Sequence, residues 1–242
     1  MRDVTTVITV CDRLEYLKDQ IDAIENQTVE SDIFIHWNNS EDYNLKYPAF
    51  VYKNTEKHFS LYTRFYNSLN IRTPYIFIPD DDILPGEKYL EKCIEFSKQQ
   101  DDKALIGVLG MKFANGERIY NVQERIGLAH NSFPSKPVKV DMVGQGYFMH
   151  SDVLKHYATQ KPLHPYGEDI HLAYTMYTNE IPIYVLDIDK NDKKTYPDLT
   201  LGQRGNDEHS QWKHSRHKVL RDFLINSFTE QGWEFGTKST LI

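Results

Sequence analysis

This sequence predicts a layered α/β fold in one domain, on three observations. Short β-branched and aromatic runs alternate with amphipathic helical stretches, the pattern of a sheet covered by helices. The 242 residues, 40% of them hydrophobic and 13% aromatic, suffice to bury one full core. No internal repeat, low-complexity tract or linker divides them.

Each element has its own signal. Val4 to Val10 reads as the first strand, and Asp12-Arg13-Leu14-Glu15 has capping-box spacing for a helix with Leu14, Leu17, Ile21 and Ile24 on one face. Asp32 to Trp37 reads as the second strand. Ser60 to Asn70 reads as a helix with Leu61, Phe65 and Leu69 at i, i+4 and i+8, followed by the strand Tyr75 to Pro79. Gly86 to Gln99 is a helix with Leu90, Cys93, Ile94 and Ser97 inward, and Ala104 to Met111 a strand. From Asn115 to Pro137 periodicity is weak, which predicts a loop-rich insertion. Val138 to Met149 is strand-like around Gly144-Gln145-Gly146, Glu168 to Tyr177 is a helix, and Ile181 to Leu186 is the last strand. The chain is polar and turn-rich from Asp187 to Gln211. It closes with a helix, Trp212 to Phe228, with Val219, Leu220, Phe223, Leu224 and Phe228 on one face.

Composition excludes several classes. A net charge of −7 argues against a dedicated nucleic-acid binder, whose footprint would be basic. Only Cys11 and Cys93 are present, both in apolar-patterned segments, so neither a disulfide framework nor a cysteine zinc site is expected, and the compartment reads as reducing. No apolar run approaches the roughly 20 residues that span a bilayer, and Met1-Arg2-Asp3 leads into a strand without a signal-peptide core. The expectation is a cytoplasmic protein, with room for peripheral membrane contact.

The most informative stretch is Asp80-Asp81-Asp82 at the end of Tyr75-Ile76-Phe77-Ile78-Pro79. Three negative charges against the end of a buried strand are unfavourable unless a cation or ligand compensates them. In extended geometry Asp80 and Asp82 project to one side, so the pair can share an ion. Hard oxygen ligands that leave room for water and phosphate suit Mg²⁺ or Mn²⁺. The plain alternative is an exposed acidic turn before Pro85-Gly86.

The order of these pieces resembles a nucleotide-sugar glycosyltransferase of the GT-A fold, a Rossmann-like nucleotide-binding sheet flanked by helices. Val7-Ile8-Thr9-Val10-Cys11-Asp12-Arg13-Leu14-Glu15-Tyr16-Leu17, then Gln27-Thr28, is similar to the opening strand and helix of family 2. His36-Trp37-Asn38-Asn39-Ser40 looks like that family's acidic turn, with Asn39 where Asp is commoner. Asn54 followed by Leu61-Tyr62-Thr63-Arg64-Phe65-Tyr66-Asn67 resembles the pattern before the Asp-x-Asp strand, and the exostosin-like enzymes of family 64 show something comparable. Gly144-Gln145-Gly146 and Gly167-Glu168-Asp169 follow in the family order.

That resemblance implies a metal-dependent enzyme moving a sugar from a nucleotide sugar, UDP-linked by preference, to a hydroxyl of a carbohydrate or glycolipid acceptor. Residues 1–110 would bind mainly the donor; residues 111–242 would serve the acceptor and carry a closing C-terminal segment. Asp82 would be the metal ligand, with Asp80 holding the ribose or donor sugar or sharing the ion, and Asp81 supporting either. Arg64 would reach the diphosphate, or else form an ion pair within the protein. Asp12 and Arg13 sit at the carboxyl end of the first strand, where open α/β sheets bind nucleotides, though Asp12 equally suits a helix N-cap. Asn39 would lie on the nucleotide side. Gly144 and Gly146 would let the backbone approach the sugar, or else mark a bulge. Asp169 would be the base in inverting relatives, whereas in retaining exostosin-like relatives a similar Glu-Asp pair positions substrate; Asp169 is the leading catalytic candidate, and Glu168 the next, as an acceptor contact. Among the basic residues between Leu201 and Arg221, His209 would complete the metal shell, with His214 as alternative, and Arg216 resembles an arginine placed before the last helix. Two other readings stay open: a sugar nucleotidyltransferase, whose Gly-rich phosphate loop is not found after the first strand, and a non-catalytic glycan-binding or scaffold module.

Overall fold

A computed structural model of the protein describes residues 2–11, 13–38, 50–53, 60–114, 120–127, 130–196 and 215–235. The described strands are β1 (Val4–Val10), β2 (Ser31–Trp37), β3 (Phe50–Lys53), β4 (Tyr75–Pro79), β5 (Leu105–Phe113), β6 (Val122–Ile126), β7 (Val138–Lys139), β8 (Met142–His150) and β9 (Ile183–Val185). The helices are α1 (Leu17–Glu25), α2 (Tyr62–Ser68), α3 (Tyr89–Gln99), α4 (Ser151–Lys155), α5 (Glu168–Thr178) and α6 (Ser215–Glu230). All nine strands join one sheet in the order β3-β2-β1-β4-β8-β5-β9-β7, with β6 beside β5. The fold is the expected single α/β domain, a central sheet flanked by helices.

Direction within the sheet positions the site. β3, β2, β1 and β4 are mutually parallel, so the chain leaves β1, β2 and β4 at one edge, where ligands bind in open α/β sheets. β8 runs antiparallel between β4 and β5 and brings its middle to that edge, with Gly146 opposite Pro79. β1 is buried along its whole length, and its threonines are satisfied sideways: Thr5 Oγ1 lies 2.8 Å from Thr73 Oγ1 and Thr6 Oγ1 lies 2.8 Å from Ser31 Oγ. Burial on both faces is why this strand reads as a continuous rather than an alternating run. Gln27 ties two helices together, donating to Gly86 O at 2.7 Å and accepting Leu90 N–H at 3.0 Å.

Several expectations need correction. The capping box falls on Asp12, outside the described residues; a 3₁₀ turn at Leu14–Tyr16 leads into α1, with no side-chain cap at Arg13. In α2, Leu61 and Leu69 are only partly buried, and the inward side comprises Tyr62, Arg64, Phe65 and Ser68. The helix is rotated because Arg64 is drawn to the carboxylates of Asp80 and Glu168. α6 shows the same departure. Val219 is 70% exposed and Phe223 52% exposed, while Leu224, Ile225 and Phe228 face the core and Arg221 turns inward with them. The stretch 138–149 is two strands, β7 pairing with β9 and β8 with β4 and β5. Part of the expected loop at 115–137 is β6, a polar strand antiparallel to β5 that shows no alternation because three of its five residues are exposed. β3 and α4 carried no readable signal. No helix among the described residues is long and apolar enough to cross a membrane.

Candidate active site

The acidic triplet is a turn, not the extended pair expected. Asp80 N–H donates to Gln145 O at 3.1 Å, Ile83 N–H reaches back to Asp80 O at 3.1 Å, and buried Gln20 of α1 donates to Asp80 O at 2.7 Å and Ile83 O at 3.1 Å. Strand alternation therefore ends at Pro79, and the carboxylates meet two different arginines. Asp80 accepts from Arg64 Nη1 at 2.7 Å and Asp81 from Arg13 Nη1 at 2.5 Å. Asp82 is the most buried of the three, with Arg13 Nη1 3.9 Å away and its Oδ1 buried without a hydrogen-bond partner. Burial, reinforced by the negative charges of Asp80 and Asp81, pushes its carboxyl up to about 7. Burial also raises Asp81, against the pull of Arg13.

A second carboxylate pair faces this turn. Gly167 precedes α5 at φ +92°, a left-handed conformation that glycine adopts without a Cβ clash, and the helix opens on Glu168 and Asp169, where its dipole favours negative charge. Arg64, 3% exposed, joins the two clusters: Nη1 to Asp80 and Nη2 to Glu168 Oε1 at 3.2 Å. Burial alone would lower the guanidinium's proton affinity, but Asp80 and Glu168 outweigh it and hold Arg64 charged. Glu168 is pushed up to about 7 by burial and by Asp169, with Arg64 opposing. Asp169 is held at both oxygens, Oδ1 accepting Ile170 N–H at 2.8 Å and Oδ2 accepting Arg221 Nη2 at 2.7 Å. The Arg221 guanidinium lies 4.8 Å from the centre of the Tyr120 ring, and its Nε donates to His217 Nδ1 at 3.2 Å.

The structure thus brings together Arg13, Arg64, Asp80, Asp81, Asp82, Glu168 and Asp169, with Gly144 and Gly146 on the adjoining strand. Gly146 has a packing reason for lacking a side chain, since a Cβ there would lie 2.8 Å from Val108 Cγ2; at Gly144 the nearest atom would be Met111 Cε at 3.6 Å. Arg216 is exposed, and the α6 arginine that reaches Asp169 is Arg221, five residues on. Sequence reasoning placed Arg221 in a basic cluster without singling it out; the available signal was the need of two carboxylates at a buried helix start for a cation. Asp12, Asn39, Asn54, His209 and His214 lie outside the described residues.

Among the described residues no group of three or more His, Cys, Asp and Glu side chains stands arranged as a ready ligand set. The oxygen-only chemistry and the unpartnered Asp82 Oδ1 nevertheless fit a hard cation, which Asp82 would hold first and Asp80 second.

The glycosyl transferase family 64 domain model matches residues 4–232, from the start of β1 to just past α6. The comparison with curated proteins gives no match. The match carries the exostosin-like side of the resemblance, and it spans both carboxylate clusters and their arginines. This chain belongs to glycosyl transferase family 64 and is a glycosyltransferase.

Proposed function

We propose that the acidic turn binds a nucleotide-sugar donor, UDP-linked, through a divalent cation at Asp82, and that the sugar passes to a hydroxyl of a carbohydrate or glycolipid acceptor near Glu168 and Asp169. The observation that carries this reading is Asp82 itself: a buried carboxylate among like charges, with one oxygen unpartnered, at the edge where the parallel strands end. Mn²⁺ or Mg²⁺, when bound, supplies Lewis-acid stabilisation of the departing diphosphate. Arg13 and Arg64 hold the turn in shape and add positive charge beside the phosphates. Residues 1–110 accordingly serve the donor and 111–242 mainly the acceptor. With both cysteines present as thiols, the reducing cytoplasm is the setting that suits the chain.

Asp169 and Glu168 act as positioning groups in this reading, as the exostosin-like resemblance implies. Asp169, bonded at both oxygens, is fixed in orientation, and Arg64 links Glu168 to the donor turn. One observation favours a second reading, Glu168 as a base: its carboxyl, held at about 7, titrates in the range useful for taking a hydroxyl proton. The test is to incubate the protein with UDP-hexoses and UDP-N-acetylhexosamines, with Mn²⁺ or with EDTA, and to follow released UDP. Release that requires the metal supports the proposal; release unaffected by EDTA sinks the metal-bridged donor site.

A further inference from the structure

Gln145 occupies the least expected backbone conformation in the sheet. β8 is a central strand, and every residue from Met142 to Met149 is buried except Gln145. Of the five non-glycine residues with positive φ among the described residues, Gln145, at +66°, is the one within a strand. The cause is a bulge: Gly107 faces Tyr147 and Leu109 faces Gly144, so two steps along β5 are matched by three along β8. In such a bulge the left-handed position ordinarily belongs to glycine. Here glycines stand immediately before and after it, at 144 and 146, both with ordinary φ, while a glutamine takes the strained place. A chain that needed only the bulge would gain stability from glycine at 145.

The location gives the strain a purpose. Gln145 O accepts the Asp80 N–H at 3.1 Å, which roots the residue beside the acidic turn, and its side-chain amide makes no hydrogen bond to the other described residues. Strained backbone kept by the surrounding structure, and bulges that re-aim a side chain, recur at functional sites. An amide carries both a hydrogen-bond donor and an acceptor, the pairing that reads the position and orientation of sugar hydroxyls.

We propose that Gln145 selects the transferred sugar: its amide hydrogen-bonds hydroxyl groups of the sugar in the nucleotide-sugar donor. The inference rests on the acidic turn being the donor site. Gln145→Gly is the decisive variant, because glycine suits the backbone better and takes away the whole side chain, amide included. The variant should fold with an unchanged or higher melting temperature, and bind UDP with Mn²⁺ in calorimetry within about twofold of the wild type, since no contact to the nucleotide is lost. Its discrimination between UDP-glucose and UDP-galactose, or between the hexoses and their N-acetylamino counterparts, read as a ratio of kcat/KM, should shrink by about tenfold, the weight of one lost hydrogen bond. A Gln145→Gly enzyme that keeps wild-type sugar preference would overturn the proposal and leave the donor site standing. Wild-type protein that fails to bind UDP with Mn²⁺ would remove the donor site and this inference with it.

Discussion

The end of β4 and the start of α5 each present adjacent carboxylates to the same space, and each recruits arginines, yet the two are finished differently. At α5 every carboxylate has its cation: Glu168 has Arg64 and Asp169 has Arg221. At β4 two arginines serve three carboxylates, and Asp82, the most buried, keeps an oxygen without a partner. A buried ionic group that is left incomplete is destabilising in isolation, so under the proposed function the acidic turn is completed by a ligand from outside, whereas each α5 carboxylate already meets an arginine of the protein. The first is suited to binding and the second to holding geometry.

Arg64 belongs to both regions, and removing it should have the largest effect. Arg64→Leu leaves Asp80 and Glu168 without their shared cation; loss of one partner of a buried ion pair costs about 3 to 5 kcal/mol, which thermal or urea unfolding will report. Stability within about 1 kcal/mol of the wild type would show that the two regions are not coupled through this guanidinium.

Separating them is the task of the next variant. Asp169→Asn keeps shape but weakens the tie to Arg221, so turnover should fall by about a hundredfold while UDP affinity holds, a division between kcat and donor binding. An Asp169→Asn enzyme with full turnover would take the α5 pair out of the mechanism.

The effect confined to part of the pH range comes last. Glu168 has a folded pKa of about 7 against a reference of 4.5, so it favours the folded state only while protonated. That contribution is complete below pH 4.5 and disappears as pH rises through 7. Glu168→Gln, which cannot ionise, should therefore match the wild type near pH 4.5 and exceed it above pH 7, by up to about 3 kcal/mol. The same variant distinguishes a base from a positioning group, since loss of a base removes the alkaline-rising limb of the kcat/KM profile, whereas loss of a positioning group lowers the whole profile.

Legibility in the sequence followed the physics of each element. β1 and β4 could be read to the residue, and α3 to its end at Gln99 though not its start at Tyr89, because burial on both faces, or on one helical stripe, leaves an apolar pattern behind. The acidic triplet was readable because charge at a strand end demands compensation. The arginines were harder. Arg64 and Arg221 turn inward on helices whose apolar periodicity would place Leu61, Val219 and Phe223 there instead, and only the carboxylates they meet, 16 positions away in sequence for Asp80, 52 for Asp169 and 104 for Glu168, account for the rotation. β6 was hidden because its exposed polar residues carry no burial signal. Gln145 looked like a spacer between two glycines; its significance is a backbone angle, which no residue type announces.

The central claim, that Asp82 holds a divalent cation that carries the nucleotide, is tested most directly by calorimetric titration of UDP into wild-type and Asp82→Asn protein with and without Mn²⁺. The account predicts that Mn²⁺ strengthens UDP binding by about a hundredfold or more in the wild type and not in Asp82→Asn, with both proteins folded. Equal, metal-strengthened binding by both would contradict it.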